Sequence, residues 1–385
     1  MSKHVKPRPE SLCKRRKEEE MTDYVSPSVK EGWTGPGRRD GTILPPKPED
    51  DALHIDVGAK SQYEWWYFDA HLEGGYTLVA FFYAAYPNPG LDQGKIAVEL
   101  TLLRPDGTKT QKVIKYKKSQ FYASTEIPHV TIGNNTMKAT FTDDGLPVYE
   151  IFLEDEDLMF ELTYKAQVEG WMPGDGYSHF ASLGHFAWVV PFPRASVEGS
   201  VRDGDKTMSV SGVGYHDHNW LNFQFQNIIE YWMWGRVYSE NFTVAYAFIQ
   251  CNDKVDRHQV KVLMLAKGSE VILSSGEYDF IQEDFEFSEA AGHSYPRSIS
   301  INVPDEMNVR LDVARTFEEV NMLDMFNPVL ASLAKYILRL KPGYFRLNSD
   351  FTLNVTYDGQ NYEEKGSTLH EVVTFRQLGP STNVD

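Results

Sequence analysis

Cysteine is almost missing from this chain: Cys13 and Cys251 are the only two. Two thiols, one of them in an N-terminal tail, make no disulfide framework, and this fits a reducing compartment. Also missing is any apolar run approaching the roughly eighteen residues of a membrane-spanning helix. The first residues carry no apolar segment of the kind that marks a secretory signal, so the expected location is cytoplasmic. In that setting the sequons at Asn134, Asn241 and Asn354 read as chance matches. Positive charge is scarce too. The formal net charge is -17. Residues 1–50 hold 11 Lys/Arg and 9 Asp/Glu, a net of +2, which leaves -19 on the rest. Such a body repels phosphate backbones, so no nucleic-acid partner is expected. Lys14-Arg15-Arg16-Lys17, the one basic cluster, reads as a solvated charge run. No glycine-rich nucleotide loop, His-Glu-x-x-His run or paired cysteine spacing occurs, so neither a cofactor nor a metal is expected.

A chain of 385 residues exceeds one small core, and two domains are expected. The first 50 residues contain seven prolines and alternating charge blocks, and they read as a flexible or irregular arm. From Tyr63 the texture changes. Tyr63–Phe68, the Glu73-Gly74-Gly75 turn and Tyr76–Phe82 form a hairpin pattern. Further short apolar runs follow on both sides of residue 215, separated by Gly, Asn or Asp. Many short strands with turn punctuation argue for antiparallel barrels or sandwiches. A barrel removes exposed edges and leaves a lined interior. One segment departs from this pattern. Asn327-Pro328 followed by Leu330, Leu333, Ala334, Ile337 and Leu338 predicts a short helix near 328–340, stopped by Pro342-Gly343.

The richest stretch is 211–234. His216, Asp217, His218 and Asn219 are consecutive, and Tyr215, Trp220, Tyr231, Trp232 and Trp234 surround them. Directed polar groups within an aromatic wall are what a large apolar ligand requires. On a strand, His216 and His218 share one face and Asp217 takes the other; a turn or bulge removes that rule. Trp232 and Trp234 face the same way on a strand, whereas Trp65 and Trp66 face opposite ways. Asp217 and His218 are the candidate proton donors. The alternative is a hydrogen-bonded knot joining two domains. A rival metal reading takes His216 and His218 as ligands, with His179 or His185 third, but no ligand spacing supports it. Glu64, an acid in an apolar strand, either pairs with Arg194 or acts as a general base.

Three stretches resemble the lipocalin-like family of carotenoid 1,2-hydratases and AttH-type proteins. They are Glu64-Trp65-Trp66-Tyr67, Gly184-His185-Phe186-Ala187-Trp188 leading to Pro191 and Arg194, and Gly214-Tyr215-His216-Asp217-His218-Asn219-Trp220. Kievitone hydratase-like and Diels-Alderase-like proteins share the architecture. The resemblance implies an all-β fold of two tandem lipocalin-like antiparallel β-barrels, divided as 51–215 and 216–385. It also implies a pocket near their junction and chemistry without an organic cofactor on a large hydrophobic small-molecule substrate. One departure is Leu221, where the family usually has Gly, and a side chain there is expected to reshape the pocket.

The expected activity is that of a cofactor-independent cyclase or isomerase on a terpenoid or polyketide-like intermediate, with alkene hydration as the alternative chemistry. Asp217, His218, His216 and Glu64 are the expected catalytic set. Tyr215, Asn219, Trp220, Tyr231, Trp232, Trp234, Trp65, Trp188 and His185 are the expected substrate contacts. A non-catalytic carrier of an apolar ligand is the rival, since a lined barrel alone suffices for carriage. The compact Asp/His/Asn group favours the enzyme.

Overall fold

The computed structural model describes residues 29–87, 92–325, 341–376 and 378. The helix expected near 328–340 lies outside these residues. The described chain is all-β, with two large antiparallel sheets. The first ends with the strand Lys206–Leu221, termed here the motif strand, and the second begins with Ile229–Tyr238. The changeover between sheets therefore falls at 222–228, a few residues beyond the 215/216 division read from the sequence. Tyr63–Leu72 and Tyr76–Ala85 form the expected hairpin.

Each sheet is a hydrogen-bonded path curled into a barrel or half-barrel, and the first carries a side branch of Tyr177–Phe180 and Val29–Glu31 off the strand His185–Asp203. The ends carry charge that discourages further pairing. Lys109–Tyr116 exposes Lys109, Gln111 and Lys115 beside Val113, and Asp279–Ser288 exposes Asp279, Glu283, Asp284 and Glu286. Residues facing inward fill three apolar layers. One lies within the first sheet around Trp66, Phe68 and Phe160. Another lies within the second around Met233, Leu311 and Phe345. The third lies between the sheets, and it places Tyr67, Trp188 and Tyr215 against Ala245, Ala247 and Ile249. This inter-sheet layer holds the candidate site.

Two local features shape the first sheet around the motif strand. The strand His185–Asp203 shifts register twice against the motif strand, between Val189 and Phe192 and between Phe192 and Ala195. Pro191 and Pro193 lie at those shifts and have no N–H to donate to the ladder. Gly214 permits a close crossing: a Cβ there would lie 2.5 Å from the Tyr164 ring and 2.6 Å from the Asp69 carbonyl.

The stretch read as a flexible or irregular arm is tied down from Val29 onward. Val29–Glu31 pairs with Tyr177–Phe180 of the first sheet. Glu31 binds Arg38 and His258, each at 2.6 Å. Ser274 donates to Asp40 at 2.6 Å. The arm thus contacts both sheets. Its proline content disfavours long strands but not a three-residue strand or side-chain anchoring, which composition does not reveal. Among the described residues no helix is long and apolar enough to cross a membrane.

Candidate functional site

The motif residues lie on uninterrupted strand. Gly212–Leu221 pairs with Tyr63–Leu72 without a register shift, setting His216 opposite Phe68, Asp217 opposite Tyr67 and His218 opposite Trp66. Strand alternation therefore applies. Asp217 and Asn219 face the space between the sheets. His216 and His218 face the interior of the first barrel.

A cavity of about 440 Å³ occupies the inter-sheet space. Trp65, Tyr67, Phe81 and Trp188 line it from the first sheet, and Trp232 and Trp234 from the second. Asp217, 6 % exposed, is set into this aromatic wall. Its Oδ2 accepts the Trp188 indole N–H at 3.0 Å and the Tyr215 hydroxyl at 2.9 Å. Its Oδ1 accepts the Asn219 amide at 2.8 Å. Burial is the largest influence on this carboxyl and favours its neutral form. Trp188, Tyr215, His216 and Asn219 oppose it but do not cancel it, and the pKa is pushed up to about 6. With two donors on Oδ2 and one on Oδ1, the less occupied Oδ1 is the better seat for a proton.

Behind the sheet lies a second polar group. The 3-10 turn Pro48–Asp51 inserts Asp51 into the end of the first barrel. Its Oδ2 lies 3.1 Å from His216 Nε2, and Tyr149 donates to the same oxygen. His216 Nδ1 donates to the Tyr67 carbonyl at 2.8 Å. His218 Nε2 lies 2.9 Å from Glu64 Oε1, and its Nδ1 lies 3.3 Å from Asp51 Oδ1, a charge contact without hydrogen-bond alignment. Burial alone would depress the His218 pKa, but Asp51 and Glu64 outweigh it and push it up to about 9. Conversely the two histidines hold Asp51 well below the usual carboxylate range despite its burial. The His218 ring stacks on Trp66, with centroids 4.5 Å apart.

The expected catalytic set thus divides. His216 and His218 on the motif strand, and Glu64 on Tyr63–Leu72, do not reach the cavity, because each takes the face opposite its cavity-lining neighbours Asp217, Asn219 and Trp65. Glu64 does not meet Arg194; it accepts the backbone N–H groups of His54 and Ile55 as well as facing His218. Arg194 donates to the Ser239 carbonyl instead. Of the expected substrate contacts, Asn219, Trp232, Trp234, Trp65 and Trp188 line the cavity. Tyr215 is fully buried behind Asp217 and touches the site through its hydroxyl. Trp220 faces away and stacks on His54. Tyr231 faces the second barrel, packed on Phe248. His185 sits beside His179 and Tyr177, outside the cavity lining. Leu221 is buried in the inter-sheet core and does not line the cavity. Among the described residues no group of three His, Cys, Asp or Glu is arranged to hold a metal ion.

Several cavity residues escaped the sequence reading. Glu99, Arg346 and Glu371 line its far end. Glu99 interrupts the apolar run Ile96–Leu103 just as Glu64 interrupts its own. That oddity was a usable signal. Arg346 and Glu371 sit on long strands whose exposed ends are polar, so their inward turn left no mark in the pattern.

With this geometry in view, the family is clear. Residues 47–327 match the AttH-like family model, and the chain belongs to that family. A curated relative is a hydroxyneurosporene dehydrogenase from Chlorobaculum tepidum, 24% identical over 231 residues, or 49% of this chain. The match spans 57% of that relative's length. Three solved structures share the fold. CghA aligns with a TM-score of 0.61 at 11% identity, covering 92% of this chain and 99% of its own. An AttH candidate from Nitrosomonas europaea aligns at 0.59 and 18% identity, covering 88% and 98%. Kievitone hydratase from Nectria haematococca aligns at 0.56 and 14% identity, covering 91% and 98%.

Proposed function

We propose that this protein is a cyclase or isomerase of large hydrophobic, terpenoid or polyketide-like intermediates, with Asp217 as general acid. The observation that carries this reading is the Asp217 carboxyl. It is buried in an aromatic cavity wall, held by three donors, and shifted to a pKa of about 6. An acid of that strength is partly protonated near neutrality and can deliver a proton to a carbon–carbon double bond or a carbonyl oxygen. The ring faces of Trp65, Trp188, Trp232 and Trp234 suit the positive charge that develops after alkene protonation. Tyr215 and Asn219 fix the carboxyl, so little reorganisation accompanies transfer. The ionised Asp217 then takes a proton back from the product-forming carbon, which closes an isomerisation without net consumption.

Alkene hydration is the second reading. Asn219 lines the cavity beside Asp217 and can hold a water against a cation formed there. The name of the Nectria relative accords with such chemistry. Product mass separates the two, since hydration adds one water and cyclisation adds nothing. The direct test incubates the protein with candidate terpenoid polyenes and polyketide-like intermediates in heavy water. Deuterium in a non-exchangeable C–H position, lost in Asp217→Asn, supports the acid. Binding without turnover in the wild type would leave a carrier.

A further inference from the structure

The cavity has two polar ends, and register fixes their relation. Asp217 pairs with Tyr67, Tyr67 with Phe81, and Phe81 with Glu99. These four residues form one row across four neighbouring strands, all lining the same cavity. Three strand spacings separate the two carboxyls, about 14 Å along the sheet. Between them lie only the rings of Tyr67 and Phe81, 4.9 Å apart at their centroids.

Glu99 is 7 % exposed. Its Oε2 accepts the Tyr83 hydroxyl at 3.1 Å, and its Oε1 accepts Gln111 at 2.7 Å. The facing sheet supplies Arg346, which donates to Glu371 at 2.9 Å, and Tyr344, whose hydroxyl donates to the same carboxylate at 2.8 Å. Arg346 Nη1 lies 4.0 Å from Glu318, outside hydrogen-bond reach. Lys109 pairs with Glu318 across the sheets. This end therefore combines three carboxyls with two cations.

We infer that the cavity is built for an amphipathic ligand, with its reacting apolar body between Asp217 and the Tyr67–Phe81 floor and a neutral hydroxyl or carbonyl end at Glu99 and Arg346. The inference rests on the reading of this cavity as the substrate site and adds the substrate class. A pure hydrocarbon laid over Glu99 and Arg346 would strip water from them and return no hydrogen bond. A hydroxyl can donate to a free lone pair of Glu99 and accept from Arg346. An anionic end meets an excess of carboxyl groups. Allowing a hydrogen bond of about 3 Å at each carboxyl, the ligand's two interacting positions lie roughly 8 Å apart.

The test is a binding titration of the full chain at pH 8, read by the change in emission wavelength and intensity of the tryptophans that line the cavity. The probes are 1-decanol, decanoate and decane. Decanol should bind about tenfold more tightly than decane, the scale of one net hydrogen bond, and more tightly than decanoate. Glu99→Leu should erase the preference for decanol over decane. Glu99→Gln should keep that preference and strengthen decanoate several-fold. Equal affinities for decanol and decane, unmoved by Glu99→Leu, would overturn the two-ended site while leaving an apolar substrate cavity intact. No saturable change in emission with any probe, and no heat of binding by calorimetry, would overturn the cavity reading itself. Should Glu99→Leu fail to fold, Glu99→Gln decides: unchanged decanoate affinity refutes the inference.

Discussion

Replacing Asp217 by Asn tests the acid directly. The amide has nearly the carboxylate's shape, and its oxygen can accept from both Trp188 and Tyr215. Its nitrogen then faces Asn219, which can turn its own amide to present oxygen. The site should therefore keep its form while losing the transferable proton. A positioned general acid contributes about 10² to 10⁴ in rate, or roughly 3–5 kcal/mol of barrier. Turnover in Asp217→Asn should fall by at least about a hundredfold, with substrate affinity little changed, because the aromatic walls remain. With Asp217 as the proposed acid, the active form of the wild type is the protonated one. With a pKa of about 6, kcat/KM should be flat below that pH and fall about tenfold per unit above it.

Stability should move the opposite way. Burial raises the folded pKa above the ordinary 3.8, so ionising Asp217 works against the fold. The stabilising influence of the neutral form is complete below about pH 4 and is lost as pH rises through about 6. A shift of about two units corresponds to roughly 3 kcal/mol. Asp217→Asn, which never ionises, should be more stable than the wild type at pH 7.5 by up to about that amount. The advantage should vanish near pH 4. Urea unfolding at both pH values, beside deuterium incorporation measured by mass, covers both halves. A folded Asp217→Asn protein with full turnover and an unlabelled product would refute the acid.

Other outcomes follow from the surrounding contacts. His218→Gln should destabilise the protein by about 3–5 kcal/mol, since it strips the partner from two buried carboxylates, yet folded protein should retain most of its turnover; a hundredfold loss with the fold intact would return His218 to the chemistry. Because the folded His218 pKa is raised to about 9, its stabilisation is full below pH 6.5 and lost as pH rises through 9, so urea unfolding of the wild type should weaken across that window and that of His218→Gln should not. Trp188→Phe removes a donor that favours the charged form of Asp217, so the break in the pH–rate profile should move upward; a downward move contradicts the assigned hydrogen bond. Asp69→Asn leaves Arg236 buried without its counter-charge at 2.6 Å and should cost about 3–5 kcal/mol in urea unfolding.

Much of the architecture was legible because strand periodicity is a local property. The Tyr63–Ala85 hairpin and the all-β texture needed only alternation and turn residues. The opposite facing of His216 and Asp217 was legible as well, conditional on an unbroken strand. Which face held the cavity was not. Both faces of the motif strand are buried, one by the first barrel's core and the other by the second sheet. Burial on both sides erases the apolar/polar contrast that would have marked the inside. The knot partner Asp51 was hidden for a different reason. It lies 165 positions from His216, on a short turn at the boundary between the stretch 1–50, whose composition suggests an arm, and the first domain.

The two faces of the motif strand are mechanically one object. His216 and His218 are held from behind by Asp51 and Glu64, and Asp217 lies between them on the same backbone. A one-residue slip of the strand would drive Asp217 into the barrel and both histidines into the cavity. The charged knot therefore fixes register at the position where register decides which group meets the ligand. This explains why so polar a cluster sits in an otherwise apolar core although an ion pair there adds little net stability. It also explains why the motif looks catalytic throughout when only Asp217 and Asn219 face the cavity. Under the proposed function the histidines are positioning residues, and the carboxyl between them is the one set to exchange a proton with a substrate.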